Sequence, residues 1–405
     1  MADEVKMGEE PEYEEKLDEK PKSVLMSMIR QLKTGMDLSK VTLPTFILEP
    51  RSFLEKCSDF MLHGKIIQSI QAQPDPVERF LMVSRWYLAG WHFKPPGVKK
   101  PYNPILGEVF QCSWDWGANG KTMYVAEQVS HHPPVSAFHF VNRASGWQLH
   151  AVMQPKSKFL GNSAGSIMDG HGCLDILSLG EQYEFTFPSY YVRGLLIGVM
   201  RMEISGDVTM TCKKTGLTCT FTFANKGFFK GENNSVSGKV TRIGDKTEIA
   251  KISGRWDKTL KLKRGGSESV FLDVEAEKNN SYCPMAQEPQ DQQRYFESRP
   301  LWSGVTKGIK TSNQDMATEH KTKLEDGQRA GKKERDTEGA QWTPKLFEQT
   351  NPNDITAWRF KLCNPAPYDP SKPTEEEAFE NSIHELVNTS ELSVGTALMA
   401  ELNQK

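Results

Sequence analysis

No run of this 405-residue chain is apolar for long enough to cross a bilayer as a helix. The longest, such as GLLIGVM (194–200), fall far short of the roughly 20 residues a span needs. Any work on membranes is therefore expected from the water side. Basic charge is equally scarce: 50 Lys and Arg against 52 Asp and Glu leave a net charge of −2, which offers no field for nucleic acid. Disulfide and zinc signatures are missing too. The seven cysteines (57, 112, 173, 212, 219, 283, 363) are scattered, odd in number and lack CxxC spacing, so a reduced, cytosolic setting is expected. The first residues are acidic, unlike a secretory leader. No metal cluster or internal repeat stands out, and neither an enzyme nor a bound cofactor is expected.

What is present reads as a folded protein, with 37% hydrophobic and 10% aromatic residues. Residues 1–20 are acidic, carry about −6 and are poor in apolar residues, so they read as a disordered tail. In SVLMSMIRQLKTGMDL (23–38), Val24, Leu25, Met28, Ile29 and Leu32 recur at helical spacing. Ser23 can cap the start and Gly35 can end it. LPTFILEP (43–50) reads as an edge strand. Residues 50–65 and 75–91 return to a helical period, whereas the proline- and lysine-rich stretch 92–108 reads as a loop.

From 105 to about 274 the text alternates in short runs separated by turn signals: VFQCSW, TMYVAEQV, WQLHAVM, YEFTF, VTMTC, LTCTFTF, KVTRI, EIAKISGRW and ESVFLDV. So many closely spaced strands predict a large antiparallel sheet or barrel, able to hold an internal cavity. Beyond 281 the chain turns charged and helical, with a long polar helix over 313–338 and an acidic helix around EEEAFENSIHELV. The expected division is a tail (1–20), an amphipathic lid (21–50), a helical segment (51–100), a barrel core (101–280) and a C-terminal helical region (281–405).

Two places could carry chemistry. In EQVSHHPPVSAF (127–138) adjacent histidines precede adjacent prolines between two strand-like runs. Successive strand residues point to opposite faces, but prolines break the ladder, and a kinked segment lets both rings converge. Composition leaves three possibilities open: a metal site, two ordinary strand-end histidines, or an anion site. In the polar helix, Lys321, Glu325 and Arg329 stand four residues apart, each step turning only about 40°, so they share one face. A solvated salt-bridge stripe explains that spacing as well. Gly327 and Gly331 weaken such a helix without evident reason.

EQVSHHPP resembles the fingerprint of the oxysterol-binding-protein-related lipid-transfer family. KPYNPILGE (100–108) looks like that family's preceding loop, and K-x-x-x-E-x-x-x-R (321–329) like its C-terminal basic motif. The resemblance implies a mainly β fold with added helices: an incomplete antiparallel β-barrel enclosing a lipid tunnel, with an N-terminal helical lid and C-terminal helices. It also implies that His131, His132 and Arg329 surround the 4-phosphate of phosphatidylinositol 4-phosphate. Lys100, Asn103, Lys321 and Glu325 would hold the inositol ring and phosphodiester. LPTFILEP is similar to the lid of the family's phosphatidylserine exchangers, and SKFLGNSAGS (157–166) to a segment beside the head group. By that likeness Leu43, Thr45 and Ile47 line the entrance, while Asn103 and Ser157 bond the serine head group. Asn103 would serve both lipids, making them mutually exclusive.

Physical necessity points to a covered tunnel. Baring two acyl chains of about 30 methylenes at ~0.8 kcal/mol each costs on the order of 25 kcal/mol, so a carrier must bury both. The expected partners are the two lipids, anionic membranes in passing, and a tethering protein at a contact between endoplasmic reticulum and plasma membrane.

Overall fold

The computed structural model describes residues 14–16, 19–38, 41, 44–93, 97–196, 199–225 and 232–403. Strand β1 (Glu14–Lys16) and helix α1 (Glu19–Ile29) come first, followed by β2 (Leu48–Ser52), α2 (Phe53–Lys56), α3 (Pro76–Ala89) and β3 (Lys100–Tyr102). Next are β4 (Val109–Asp115), β5 (Lys121–His131), β6 (Pro134–Asn142), β7 (Trp147–Phe159) and β8 (Ser163–Ile176). Then come β9 (Glu181–Phe185), β10 (Ser189–Arg193), β11 (Val199–Cys212), β12 (Leu217–Ala224) and β13 (Ser235–Arg242). Strands β14 (Ala250–Arg255), β15 (Thr259–Arg264) and β16 (Ser267–Asp273) lead into α4 (Val274–Asn280). Helices α5 (Ser298–Leu301), α6 (Ser303–Lys310), α7 (Gln314–Glu338), α8 (Pro373–Asn388) and α9 (Thr396–Leu402) close the chain.

One 14-stranded antiparallel sheet runs from β4 to β16 as a meander, except that β10 lies between β8 and β11. β9 pairs with β8 and β11, and β1 adds to β11. The path ends at β4 and β16 without closing among the described residues, so the barrel is incomplete. Side-chain alternation explains how it is filled. Tyr124, Ala126, Phe138, Phe140, Leu149 and Ala151 face inward to a core shared with Phe80, Trp86 and Tyr87 of α3. Met123, Val125, Val135, Ala137 and Val152 face outward to Leu301, Trp302, Leu324 and Ile383 of the C-terminal helices. Strands β5–β7 are thus covered on both faces, and TMYVAEQV is buried at every position, its Thr, Glu and Gln included. β12 is covered on one face only, and its burial alternates strictly. Helix α3 starts where Asp75 accepts a hydrogen bond from the Val77 amide at 2.7 Å and Pro76 occupies the first turn.

Several expectations are corrected. Residues 14–16 of the acidic tail form β1, because the exposed edge of β11 supplies their hydrogen bonds. The amphipathic helix runs over Glu19–Ile29 rather than 23–38, so Ser23 lies inside it, and Gly35 (φ +87°) serves the following turn. Residues 50–65 form the end of β2, α2 and short 3-10 turns instead of one helix. Within the expected loop 92–108, β3 pairs in parallel with β2. The acidic segment forms α8, whose Ile383 and Val387 are buried on the barrel's outer face. Ion pairs Lys121–Glu380 and Arg143–Glu376, each at 2.7 Å, flank that contact. The two glycines of α7 mark a close approach. A Cβ at Gly331 would lie 2.6 Å from the Val394 carbonyl carbon, and one at Gly327 would run into the tip of Leu398.

Candidate functional site

One end of the barrel interior is not filled by side chains. A cavity of about 360 Å³ lies there. Leu25, Met28, Ile29 and Leu32 of the N-terminal segment line it, together with Trp91, Phe93, Met153, Phe187, Tyr190 and Met202. Four of the five residues of the apolar stripe legible in the sequence are therefore the underside of a cover, while Val24 is exposed. The cover is fastened to β7: Gly35 N–H donates to the Phe159 carbonyl at 2.7 Å, and Phe159 N–H donates to the Met36 carbonyl at 2.9 Å. A bridge between Asp37 and Lys158 extends that junction.

Lys100, Asn103, His131, His132, Ser157, Lys321 and Glu325 all line this cavity, as does Ile47. The histidines converge because the β5–β6 ladder shifts register between Gln128 and Ser130, releasing the pair from alternation. Their rings lie 4.5 Å apart at 65°. The turn is held by Ser130, whose hydroxyl donates to the Pro133 carbonyl at 2.8 Å, and by Gln128, whose amide donates to the Ser130 carbonyl at 2.8 Å. Parallel pairing with Leu48 places Lys100. Ser157 pairs across the β7–β8 hairpin with Ser166, which also faces the cavity. α7 is capped at its start by Asn313, whose side chain accepts from the Met316 amide at 3.0 Å. It presents Lys321 and Glu325 as an ion pair 2.6 Å apart.

The electrostatics suit an anion. Burial, then the charge of Lys321, holds the Lys100 ammonium below its ordinary pKa, with Asp37 opposing. Lys100 is half-buried by surface yet closely surrounded by protein atoms. His131 is held down to about 4 by burial first, then by His132 and Arg335. The Pro104 carbonyl, short of hydrogen-bond geometry with the ring, pulls the other way. Among the described residues no three His, Cys, Asp or Glu side chains gather to hold a metal.

Two of the expected site residues, Thr45 and Arg329, are not brought to this cavity, and a third cannot be placed against it. Leu43 lies outside the described residues. Thr45 is buried and its hydroxyl donates to Gln314 Oε1, with Thr318 Oγ1 at 3.4 Å. It thus ties the 3-10 turn Thr45–Ile47 to α7 instead of lining the entrance. Arg329 projects to solvent, paired with Asp326 one turn back, and does not line the cavity. The helix rotates it past the cavity wall, because the 40° drift per four residues accumulates from Lys321 to Arg329.

Residues the sequence did not single out hold the site together. Gln328 is buried; its Oε1 accepts from the Leu106 amide at 2.7 Å and its Nε2 lies 2.5 Å from His131 Nε2. Fully buried Glu108 accepts from Ser52 (2.5 Å), Ser298 (2.7 Å), Trp302 (2.8 Å) and the Ile105 amide (2.9 Å). Burial still raises its pKa. Glu127, first residue of the fingerprint, accepts from the Lys345 and Leu346 amides, both at 2.8 Å, and burial pushes it up to about 7. A carboxylate inside a strand-like run was the available signal for Glu127, whereas Glu108 stands in a stretch that reads as a loop.

An incomplete barrel, covered by an N-terminal segment over a cavity apolar along most of its wall and with cationic side chains in its lining, defines a lipid-binding domain. The family model described as oxysterol-binding protein matches residues 25–307 and 306–365, and the chain belongs to that family. It is 40% identical over 373 residues to oxysterol-binding protein 4 of Dictyostelium discoideum, covering 90% of this chain and 79% of that one. It is also 40% identical over 364 residues to human oxysterol-binding protein-related protein 5, covering 88% of this chain but only 41% of the relative. Among solved structures, the Osh1 ORD domain in complex with cholesterol matches with a TM-score of 0.70 at 22% identity, over 89% of this chain and 90% of that one. The Osh3 ORD of Saccharomyces cerevisiae in complex with PI(4)P matches with a TM-score of 0.64 at 21% identity, over 91% and 95%.

Proposed function

We propose that this protein carries phosphatidylserine one way and phosphatidylinositol 4-phosphate the other, one lipid at a time, with no bond made or broken. The observation that carries this reading is that Lys100, Lys321, His131 and His132 line one covered cavity whose wall is mostly apolar. Donors of that kind suit a phosphorylated head group, and the apolar wall suits acyl chains. Asn103 and Glu325 supply acceptors for inositol hydroxyls. Asn103 and Ser157, with Ile47 nearby in the lining, are assigned to the serine head group. Thr45 and Arg329 are left out of both sets. The same fold holds PI(4)P in the Osh3 domain and cholesterol in the Osh1 domain, so the fold alone leaves the cargo open and the cationic side chains favour the phosphoinositide.

The proposed place of work is the cytoplasmic side of contacts between endoplasmic reticulum and plasma membrane, reached through a tethering protein or surface charge. The test is extraction from liposomes containing phosphatidylserine, phosphatidylinositol 4-phosphate or cholesterol. Uptake of the first two, each displacing the other, is expected. Sterol uptake with phosphatidylserine ignored would replace the proposed cargo pair with a sterol–phosphoinositide pair.

A further inference from the structure

The hydrogen bonds around Gln328 run in one direction only. Leu106 N–H is a donor and nothing else, so the amide edge facing it at 2.7 Å must be the carbonyl Oε1. The amide is planar, so its other edge, the NH₂, is committed to His131 Nε2 at 2.5 Å. An NH₂ group has only protons to offer. His131 Nε2 must therefore present its lone pair, and the ring proton sits on buried Nδ1, where no hydrogen-bond partner is in place. Turning the amide over would set NH₂ against the Leu106 N–H. Protonating His131 at Nε2 would set N–H against N–H. Both alternatives force donor against donor in a buried place, which is costly.

We propose that Gln328 is a positioning residue that fixes the tautomer of His131 and keeps the imidazole neutral, so that His131 places no cation beside an anionic head group. The placement supports it. Gln328 is 6% exposed, on the face of α7 that also buries Leu324 and Gly331, beside the Lys321–Glu325 face. One side chain thus joins the 100–108 loop, the histidine turn and α7. The charges that act on His131 are His132 on its own turn and Arg335 on α7, while Lys100, Lys321 and Glu325 line the same cavity. His132 and Arg335 act in the same sense as the amide.

The functional half of this inference rests on the phosphoinositide reading; the tautomer does not. Ring ¹⁵N spectra of histidine-labelled, lipid-free protein decide it, with His131 assigned by the signals lost in His131→Asn. The expected result is an unprotonated Nε2 and a protonated Nδ1 from about pH 8 to about pH 5. In Gln328→Glu, a carboxylate accepts from Leu106 and from a protonated Nε2 alike, so His131 should gain its second proton in the ordinary histidine range, near about pH 6.5. In Gln328→Met, which keeps the volume and removes the donor, the two neutral tautomers should mix. A proton on Nε2 in the wild type, or unchanged His131 spectra in both variants, overturns the proposal. Phosphoinositide extraction read in parallel separates the two claims. Uptake flat with pH in the wild type and strengthening toward acid in Gln328→Glu supports the head-group contact. Spectra as expected with no uptake at any pH would leave the tautomer assignment standing and refute the phosphoinositide reading.

Discussion

Replacing Lys321 by methionine should damage phosphoinositide binding more than the loss of one contact explains. Lys321 is paired at 2.6 Å with Glu325, and both line the cavity. Removing the ammonium deletes a charge-assisted contact, worth about 1.5–3 kcal/mol. It also leaves the Glu325 carboxylate facing the phosphate. At a separation of about 5 Å and an effective dielectric near 20, two unit charges repel by roughly 3 kcal/mol. The side chain of Glu325 is 30% exposed, so solvent screening cuts that to about 1–2 kcal/mol. The sum, about 2.5–5 kcal/mol, corresponds to roughly sixty- to several-thousandfold weaker binding at ~1.4 kcal/mol per decade. Adding Glu325→Gln should restore about tenfold, because the repulsion disappears while the missing donor stays missing. The assay is sedimentation of liposomes carrying labelled phosphatidylinositol 4-phosphate, titrated with wild type, both single variants and the double variant, read as a double-mutant cycle. Equal losses in Lys321→Met and in the double variant would show that Glu325 does not face the ligand. Wild-type binding by Lys321→Met would remove Lys321 from the site altogether.

His131→Ala combined with His132→Ala should abolish phosphoinositide extraction while part of the phosphatidylserine extraction survives, with circular dichroism unchanged; normal phosphoinositide uptake would refute the anion assignment. Arg329→Ala should change that uptake by less than about threefold, since its exposed pair with Asp326 contributes little, whereas Lys100→Met should cost at least tenfold; the opposite ranking would put Arg329 back in the site. Gly331→Ala should lower the melting temperature even though alanine favours helix by about 1 kcal/mol, because its Cβ meets backbone of 394–395. Gly327→Ala should cost less, because it meets only the side chain of Leu398, which can shift, and no backbone; equal melting temperatures for the two variants would refute the close-packing account.

Sequence alone determined what depends on near neighbours. The alternation in TMYVAEQV and LTCTFTF, the proline break after His132, the start of α7 at Asn313 and the apolar stripe of Leu25, Met28, Ile29 and Leu32 are set by residues within a few positions. All are where the pattern put them, apart from helix ends that shifted by several residues. Tertiary structure decided what depends on partners far along the chain. β8, rich in glycine and serine, carries no strand pattern of its own; it is a strand because β7, β9 and β10 supply its hydrogen bonds. Glu108 reads as a loop acid until Ser52, Ser298 and Trp302 surround it. On α7 the four-residue spacing brought Lys321 and Glu325 together, but only the docking of that helix against the histidine turn decided which side chain came next. That side chain is Gln328, turned inward to His131, while Arg329 faces water; a helix's periodicity fixes which residues share a face but not the rotation at which the face meets its neighbours.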